Sequence, residues 1–418
     1  AHMSHTPPPT TSDIELNGRA YALPDEPIVV ICIDGCADEY LSNAIAKGRM
    51  PQLEQMLENG YRGVARGAMP SFTNVNNAAI ACGGPPSLTG IPGNFFLDPD
   101  TGEEVMMNDP SYLRAKTIFE IASGAGRRVA IVTAKDKLRR FLSKGLEGGI
   151  CFSSERASDA TLEENGVEQV EELVGRPTPD VYSGDLSLFA LEAGAALLER
   201  GDADFIYLTL SDYVQHKHAP DEPEALDFYA GIDAVIGRCL AAGARVGVTA
   251  DHGMNGKTTA GVPNVLFLED CLREAFGDGI RVICTITDPY VVHHGALGGF
   301  VVVHIENGAA VEDVVRHCLS QPGVAEALPR ELAAQKLELP ADRLGDLVVL
   351  ADRKTVIGKN QADHDLGMLK GVLRSHGSRY EEIVPFILST PLPNALREPA
   401  WTDLRSFEIF QYLCPPTT

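Results

Sequence analysis

The chain has 418 residues, and 44% of them are hydrophobic, which is enough to bury a large core in one big domain with a smaller one beside it. Its formal net charge is −23, which disfavours nucleic acids and anionic membrane surfaces as partners. Nine cysteines without a Cys-x-x-Cys pair favour a reducing, cytoplasmic setting, and the sequence has no apolar run of about 18 residues that would predict a transmembrane helix.

The first 255 residues alternate strand and helix patterns. Residues 1–12 are polar and proline-rich, and we interpret them as a disordered tail that begins with a tag remnant. After this tail, β-branched runs predict strands at 28–33, 62–67, 128–133, 204–210 and 245–250. Helical patterns between them lie at 38–59 (with a break at Met50-Pro51), 74–82, 116–124, 184–200 and 222–242. This order predicts an α/β fold with a doubly wound, mostly parallel sheet and helices on both faces.

The pattern changes after residue 255. Strand-like runs at 280–286, 299–305 and 346–350, with a helix at 309–320, predict an inserted α+β cap domain over residues 256–372. A strand at 383–388 and a helix at 403–413 then return the chain to the core. The predicted metal-binding core therefore spans residues 20–255 and 373–418, and we expect the cap to lie over its metal-binding edge.

A set of carboxylate, imidazole and hydroxyl side chains predicts a two-metal site. Its members are Asp34, Thr73, Asp212, His216, Asp251, His252 and His376. Several follow predicted strands, and ligands bind beyond the carboxyl ends of such strands. One ion would take Asp34, Thr73, Asp251 and His252, and a second would take Asp212, His216 and His376. These ligands suit Zn²⁺, with Mn²⁺ or Fe²⁺ as alternatives. Two ions can stabilise an in-line displacement at phosphorus.

Thr73 is the candidate nucleophile. It stands just before the predicted helix at 74–82, where free N–H groups and the helix dipole favour an anion. A bound metal would lower the pKa of its hydroxyl. Two alternatives stay open at this point: Thr73 is a plain helix N-cap, or Ser71 is the nucleophile.

Two lysines after the strand at 128–133 are candidates for binding a substrate carboxylate. Lys135 and Lys137 are at positions i and i+2, so an extended backbone would point both side chains the same way. A solvated basic loop is the alternative, because Arg139 and Arg140 follow. His218 is a weaker substrate-binding candidate, since a surface histidine is an equal alternative. The pair His293-His294 in the cap is weaker still.

The order of these motifs resembles the alkaline phosphatase superfamily, and within it the nucleotide pyrophosphatase/phosphodiesterase branch. The resemblance covers about residues 25–260 and 370–415. It rests on Asp34 after a strand and on Pro70-Ser71-Phe72-Thr73-Asn74, Asp212…His216, Asp251-His252-Gly253 and Ser375-His376-Gly377. It implies a doubly wound sheet with a cap, two zinc ions held by the ligand set above, Thr73 as nucleophile, and a hydrogen bond from Asn94 to the transferring phosphoryl group.

Within that branch, the sequence looks most like members that hydrolyse phosphonoacetate, in which lysines at the place of Lys135 and Lys137 hold the carboxylate. Many phosphodiesterases of the branch carry Asp-x-x-Gly-His-x-x-Gly-Pro. This chain has Gln215 and Ala219 instead of both glycines, which disfavours nucleotide substrates.

The function that we expect is zinc-dependent cleavage of the carbon–phosphorus bond of phosphonoacetate, giving acetate and phosphate. The expected partner is this small anionic substrate, and a homodimer is left open. A phosphodiesterase or nucleotide pyrophosphatase is the alternative enzyme, and a non-catalytic metal-binding protein is the alternative of another class. A metal-dependent phosphoglycerate mutase is a weaker rival, because it would carry Ser at the position of Thr73.

Overall fold

The computed structural model of the protein describes residues 13–287, 297–364, 366–368, 372–396 and 403–417. The predicted tail at residues 1–12 and the pair His293-His294 lie outside the described residues. Among the residues that are described, no helix is long and apolar enough to cross a membrane.

Two larger sheets organise the chain. Their strands are, in chain order, β1 (Ile28–Cys32), β2 (Tyr61–Arg66), β3 (Val129–Thr133), β4 (Ile150–Ser153), β5 (Phe205–Thr209), β6 (Arg245–Thr249), β7 (Ile280–Cys284), β8 (Phe300–Ile305), β9 (Val324–Pro329), β10 (Leu347–Ala351) and β11 (Ile383–Leu388). Shorter strands pair in twos; they lie at Ile14–Leu16, Arg19–Tyr21, Phe95–Leu97, Glu104–Met106, Asn255–Gly256, Thr258–Thr259, Val262–Pro263, Val265–Phe267, Val356–Gly358 and Arg374–Ser375.

The α-helices of the described residues surround these sheets. They are α1 (Asp38–Ala46), α2 (Pro51–Leu57), α3 (Thr73–Cys82), α4 (Pro86–Thr89), α5 (Ile118–Gly124), α6 (Arg139–Leu142), α7 (Leu162–Asn165), α8 (Val170–Val174), α9 (Asp185–Glu199), α10 (Tyr213–Lys217), α11 (Pro223–Ala241), α12 (Leu268–Phe276), α13 (Val311–Leu319), α14 (Arg330–Leu337) and α15 (Ile409–Leu413).

The main sheet has seven strands in the order β2-β11-β6-β1-β5-β3-β4. Strands β6, β1, β5, β3 and β4 pair in parallel, whereas β11 runs antiparallel to both β6 and β2. The end of β2 and the start of β11 therefore reach the same edge as the carboxyl ends of the parallel strands. This confirms the predicted doubly wound, mostly parallel sheet.

The central strands are buried on both faces, which explains their continuous apolar runs. Every residue of β1, β3 and β5 is buried. Because side chains alternate along a strand, Ile28 and Val30 join one hydrophobic cluster, whereas Val29 and Ile31 join the cluster on the opposite face.

The structure differs from the sequence-based elements at a few places. The break predicted at Met50-Pro51 within the helix at 38–59 is confirmed, since Met50 is the N-cap and Pro51 the first residue of α2. Strands β4 and β9 and helices α12 and α14 were not predicted. Strand β4 has four residues, too few for a clear period. The predicted C-terminal helix is a 3₁₀ turn at Ser406–Glu408 followed by the short α15.

The second sheet lies within the predicted cap and has the order β7-β8-β10-β9, with all pairs antiparallel. One face packs residues such as Val301 and Val303 against α12 and α13. The other face contributes Phe300 and Val302 to a cluster that also contains Phe72 of the main unit. The two sheets therefore share one hydrophobic core. The division into a core of residues 20–255 and 373–418 and a cap of residues 256–372 remains a proposal.

The shared core gives a first prediction. The ring of Phe300 is buried and meets the ring of Phe72 edge-on, with 6.2 Å between centroids. Phe300→Ala is expected to lower the free energy of unfolding by about 3–5 kcal/mol, since it leaves a cavity in this core. Leu319→Ala, at a half-exposed position in the same segment, should change it by less than about 0.5 kcal/mol. Denaturant unfolding measures both. Equal losses would mean that this contact does not join the two sheets.

Candidate active site

Four of the predicted ligands stand on loops that leave the same edge of the main sheet. Asp34 follows β1, Asp212 follows β5, and Asp251 with His252 follows β6. The turn after Asp34 requires a glycine, because Gly35 has a φ of +72°. A Cβ atom at Gly35 would also lie 3.0 Å from Cβ of Asp212. The missing side chain thus lets the loops after β1 and β5 approach each other.

His216 and His376 complete the cluster from two other directions. His216 lies in α10, four residues after Asp212, and its Nε2 atom is 2.9 Å from Oδ2 of Asp212. His376 follows the short strand Arg374–Ser375, upstream of β11. Its Nε2 atom lies 3.7 Å from the same carboxylate oxygen. Asp212 therefore lies between the two histidines.

His252 connects the remaining carboxylates. Its Nε2 atom lies 2.8 Å from Oδ1 of Asp34 and 3.7 Å from Oδ2 of Asp212. Asp251 is held from behind, since its Oδ1 accepts the backbone N–H groups of Gly35 and His252. Its Oδ2 atom is buried and has no hydrogen-bond partner among the described residues.

All three imidazoles are oriented in the same way. The Nδ1 atom of each ring lies 2.7–2.8 Å from a backbone carbonyl oxygen. His216 faces the carbonyl of Arg374, His252 that of Gly253, and His376 that of Ser71. A carbonyl oxygen only accepts, so each Nδ1 carries the proton and donates it. In neutral rings this leaves Nε2 with a lone pair directed at the carboxylates, which is the usual orientation of a metal-binding histidine.

The surroundings of His376 show that a metal ion fits these residues. Burial and then the neighbouring His252 and His216 hold the pKa of His376 well below its ordinary value, so this imidazole is neutral. The rings of His252 and His376 stack with 3.4 Å between centroids. Imidazole nitrogens and carboxylate oxygens are thus buried side by side, and both kinds of atom are ligands that a divalent cation between them would take. Two groups of side chains have the geometry of metal ligands. The first is Asp212, His216 and His376, and the second is Asp34, Asp212 and His252.

Thr73 is the first residue of α3, and its Oγ1 atom lies 3.4 Å from Nε2 of His252. The N-cap of this helix is Phe72, and no side chain caps it. The alternative of Thr73 as a helix cap is therefore wrong. Ser71 is buried and engaged elsewhere, because its hydroxyl donates to the carbonyl of Ser378 and accepts from the backbone N–H of Gly377.

Asn94 has a fixed amide. It is buried, and its Oδ1 atom accepts the backbone N–H of Asn74 in the first turn of α3. Its backbone is also fixed, since its N–H donates to the carbonyl of Thr285 next to the second sheet. With Oδ1 used in this way, Nδ2 is the atom of Asn94 that can donate to a bound molecule.

Lys135 and Lys137 both line a cavity at this edge of the sheet. The prediction that an extended backbone points both side chains the same way is wrong. The extended backbone ends near Lys135, and Asp136–Leu138 form a 3₁₀ turn. The ammonium group of Lys135 lies 5.9 Å from the ring centroid of Tyr182. Arg139 points away into ion pairs with Asp136 and Glu164.

The cavity has a volume of about 180 Å³ and joins these groups in one space. Its lining includes the predicted residues Asp34, Thr73, Asn94, Lys135, Lys137, Asp212 and His376. Sequence reasoning missed Asn108, Glu155, Tyr182 and Thr287, which also line it. A larger cavity of about 750 Å³ lies where β3 and β4 begin, far from these ligands in the fold.

His218 is placed differently from the sequence-based expectation. It is absent from the described residues that line the cavity. Its Nδ1 atom lies 3.4 Å from Glu222 and 3.6 Å from Glu224. The geometry thus gives the substrate-binding role of His218 no support.

Comparison with known proteins places this site in a family. The sequence profile of the type I phosphodiesterase / nucleotide pyrophosphatase family matches residues 28–379. The chain belongs to this family. The predicted resemblance is confirmed, and the chain is an enzyme of this group.

Solved structures agree with this assignment. Phosphonoacetate hydrolase from Sinorhizobium meliloti, crystallised with phosphonoacetate and with phosphonoformate, is 45% identical with a TM-score of 0.92. The alignment covers 98% of this chain and 100% of that one. Murine ectonucleotide pyrophosphatase/phosphodiesterase 5 is 15% identical, with a TM-score of 0.61 over 93% of this chain and 94% of that one. This second likeness concerns the fold alone.

Proposed function

We propose that this protein hydrolyses the carbon–phosphorus bond of phosphonoacetate to acetate and phosphate. The observation that carries the proposal is one cavity whose lining combines Thr73, three of the metal-type ligands (Asp34, Asp212 and His376) and the lysines Lys135 and Lys137. A hydroxyl beside metal ligands suits attack on phosphorus, and a pair of ammonium groups suits a carboxylate. The 45% identical relative crystallised with phosphonoacetate supports the same substrate.

Two zinc ions are part of this proposal. Asp212, His216 and His376 would hold one, and Asp34, Thr73, Asp251 and His252 would hold the other. Asp212 also lies close enough to His252 to approach the second ion. Bound zinc supplies positive charge for the phosphoryl oxygens and lowers the pKa of a coordinated hydroxyl.

Thr73 performs the covalent step. Its Oγ attacks phosphorus, an O–P bond forms, and the C–P bond breaks with its electron pair moving to the methylene carbon. The substrate carboxylate delocalises this pair as an enolate, which takes a proton to give acetate. Water then attacks phosphorus, releases phosphate and restores the Thr73 hydroxyl. During both displacements Asn94 donates from Nδ2 to the phosphoryl group.

The lysines act on the other end of the substrate. The chain carries a net charge of −23, so a multiply charged anion meets an unfavourable global field. Lys135 and Lys137 bind the carboxylate and stabilise the charge that grows on it as the C–P bond breaks. They therefore contribute to the chemical step as well as to binding. Without a carboxylate on the leaving carbon, the carbanion would have no such stabilisation.

The metal proposal predicts a stoichiometry. Protein purified without chelator is expected to carry about two equivalents of zinc, as in two-metal hydrolases. His216→Ala should lose about one of them, because it removes a ligand of one ion. His317→Ala is the matched control, since His317 lies on helix α13, which packs against the second sheet. This variant should lose no zinc. Metal analysis checks all three proteins. A single equivalent that His216→Ala leaves unchanged would contradict the two-ion site.

The nucleophile proposal separates two hydroxyls. Thr73→Ala should keep its fold and most of its metal and lose turnover by several orders of magnitude, since the attacking atom is gone. Ser71→Ala should lose far less turnover than Thr73→Ala and about 1–3 kcal/mol of stability, because Gly377 N–H and Ser378 C=O lose a buried partner. Steady-state kinetics and denaturant unfolding measure the two effects. The reverse pattern would make Ser71 the nucleophile.

The substrate proposal is tested on two compounds. Lys135→Met and Lys137→Met should each lower kcat/KM for phosphonoacetate at least tenfold, or about 1.4 kcal/mol. A nitrophenyl phosphate ester has no carboxylate and a good leaving group, so its hydrolysis should fall far less. Lys144→Met, a neighbouring lysine that bonds the Leu113 carbonyl, is the control.

Equal losses on both compounds would assign the lysines to the phosphoryl end or to the fold. The family assignment also favours a phosphodiester as a second candidate substrate. Wild-type protein that hydrolyses a nitrophenyl nucleotide ester but releases no phosphate from phosphonoacetate would replace the proposed substrate with that one. Bound metal without turnover on any phosphoryl compound would favour the non-catalytic alternative.

A further inference from the structure

Two oppositely charged side chains outside the cavity lining are fully buried. Lys257 and Glu381 each have 0% side-chain exposure, and Nζ of Lys257 lies 3.1 Å from Oε2 of Glu381. Lys257 also donates to the backbone carbonyl of Arg353. The proposed chemistry uses neither group directly. A buried ion pair gives little net stability compared with an apolar pair, so its presence calls for another explanation.

The carboxylate of Glu381 bridges the two loops that carry His252 and His376. Its Oε1 atom accepts from the backbone N–H and the hydroxyl of Ser378, two residues after His376. Its Oε2 atom accepts from Nδ2 of Asn255, three residues after His252, at 2.6 Å. One carboxylate thus connects both histidine loops.

Backbone hydrogen bonds reinforce this bridge. The N–H of Gly253, next to His252, donates to the carbonyl of Glu381 at 2.8 Å. Asn255 pairs with Ser375, next to His376, in a short antiparallel ladder. The two histidine rings stack between these fixed loops.

The same connections reach the nucleophile loop. The hydroxyl of Ser71 donates to the carbonyl of Ser378, and the carbonyl of Ser71 accepts from Nδ1 of His376. Ser71 is two residues before Thr73. A shift of Ser378 would therefore move His376 and the start of α3 together.

We propose that Lys257 and Glu381, with Asn255 and Ser378, form a clamp that fixes the separation of His252 and His376 and so slows the release of bound metal. These are positioning residues, since they act through the histidines and touch no reacting atom. The inference rests on the proposed zinc site. The ion pair with Lys257 holds the Glu381 carboxylate in place, and a carboxylate makes stronger hydrogen bonds to Ser378 and Asn255 than a neutral acceptor does.

The test measures zinc release in the absence of substrate. Zinc-loaded protein is mixed with excess chromogenic chelator, and the rate of metal transfer is recorded. Glu381→Gln keeps the size of the side chain but removes its charge, and it should release zinc at least about tenfold faster than wild type, in line with other groups that orient metal ligands. Lys257→Met should act in the same direction.

Glu269→Gln is the matched control. Glu269 is also buried and paired with an arginine, Arg273, and it accepts the backbone N–H of Val282 in the second sheet. The Glu269→Gln variant should lose about as much stability as Glu381→Gln, without a change in the rate of zinc release. Thermal unfolding of all variants shows whether the losses of stability are comparable.

Asn255→Ala keeps the test decisive if the charge variants do not fold. It removes one arm of the clamp at a partly exposed position and should also speed zinc release. The proposal is overturned if the clamp variants that fold release zinc no faster than Glu269→Gln, or if wild-type protein holds no zinc. Wild-type protein that holds zinc but leaves phosphonoacetate intact would refute the proposed substrate and leave the clamp standing.

Discussion

The burial of carboxylates and imidazoles side by side at one edge of the main sheet is the constraint on which the rest of the site depends. Asp212 Oδ2 lies within 3.7 Å of Nε2 atoms from three histidines, and His376 is neutral because burial and its imidazole neighbours lower its pKa. Such an arrangement persists only where the surrounding structure holds each group in place. Fully buried strands fix the carboxylates, and backbone carbonyls fix the three imidazoles from behind.

Much of this edge could be predicted from local sequence. Asp34 and Asp251 each follow a short apolar run, and such runs end at the same edge when strands are parallel. The spacing of four between Asp212 and His216 predicted a shared helical face, and α10 provides it. His376 reaches the same edge because β11 is antiparallel, a direction that the sequence pattern leaves open.

What could not be predicted depends on distant contacts. Both lysines line the cavity although a 3₁₀ turn replaces the expected extended chain, so local periodicity did not determine their placement. Tyr182 comes from a loop without a motif, so no local signal marked it. The clamp joins Lys257 and Glu381, which are 124 positions apart, and each resembles an ordinary surface residue in sequence.

The inserted segment contributes contacts to the site. The N–H of Gly299 donates to the carbonyl of His376, the carbonyl of Thr285 accepts from Asn94, and Phe300 packs against Phe72 beside Thr73. Each of these contacts fixes the backbone of a residue in or next to the site. A cap attached in this way cannot move as a rigid lid without disturbing His376 and Asn94. The second sheet is therefore part of the scaffold that holds the backbone of His376 and Asn94 in place.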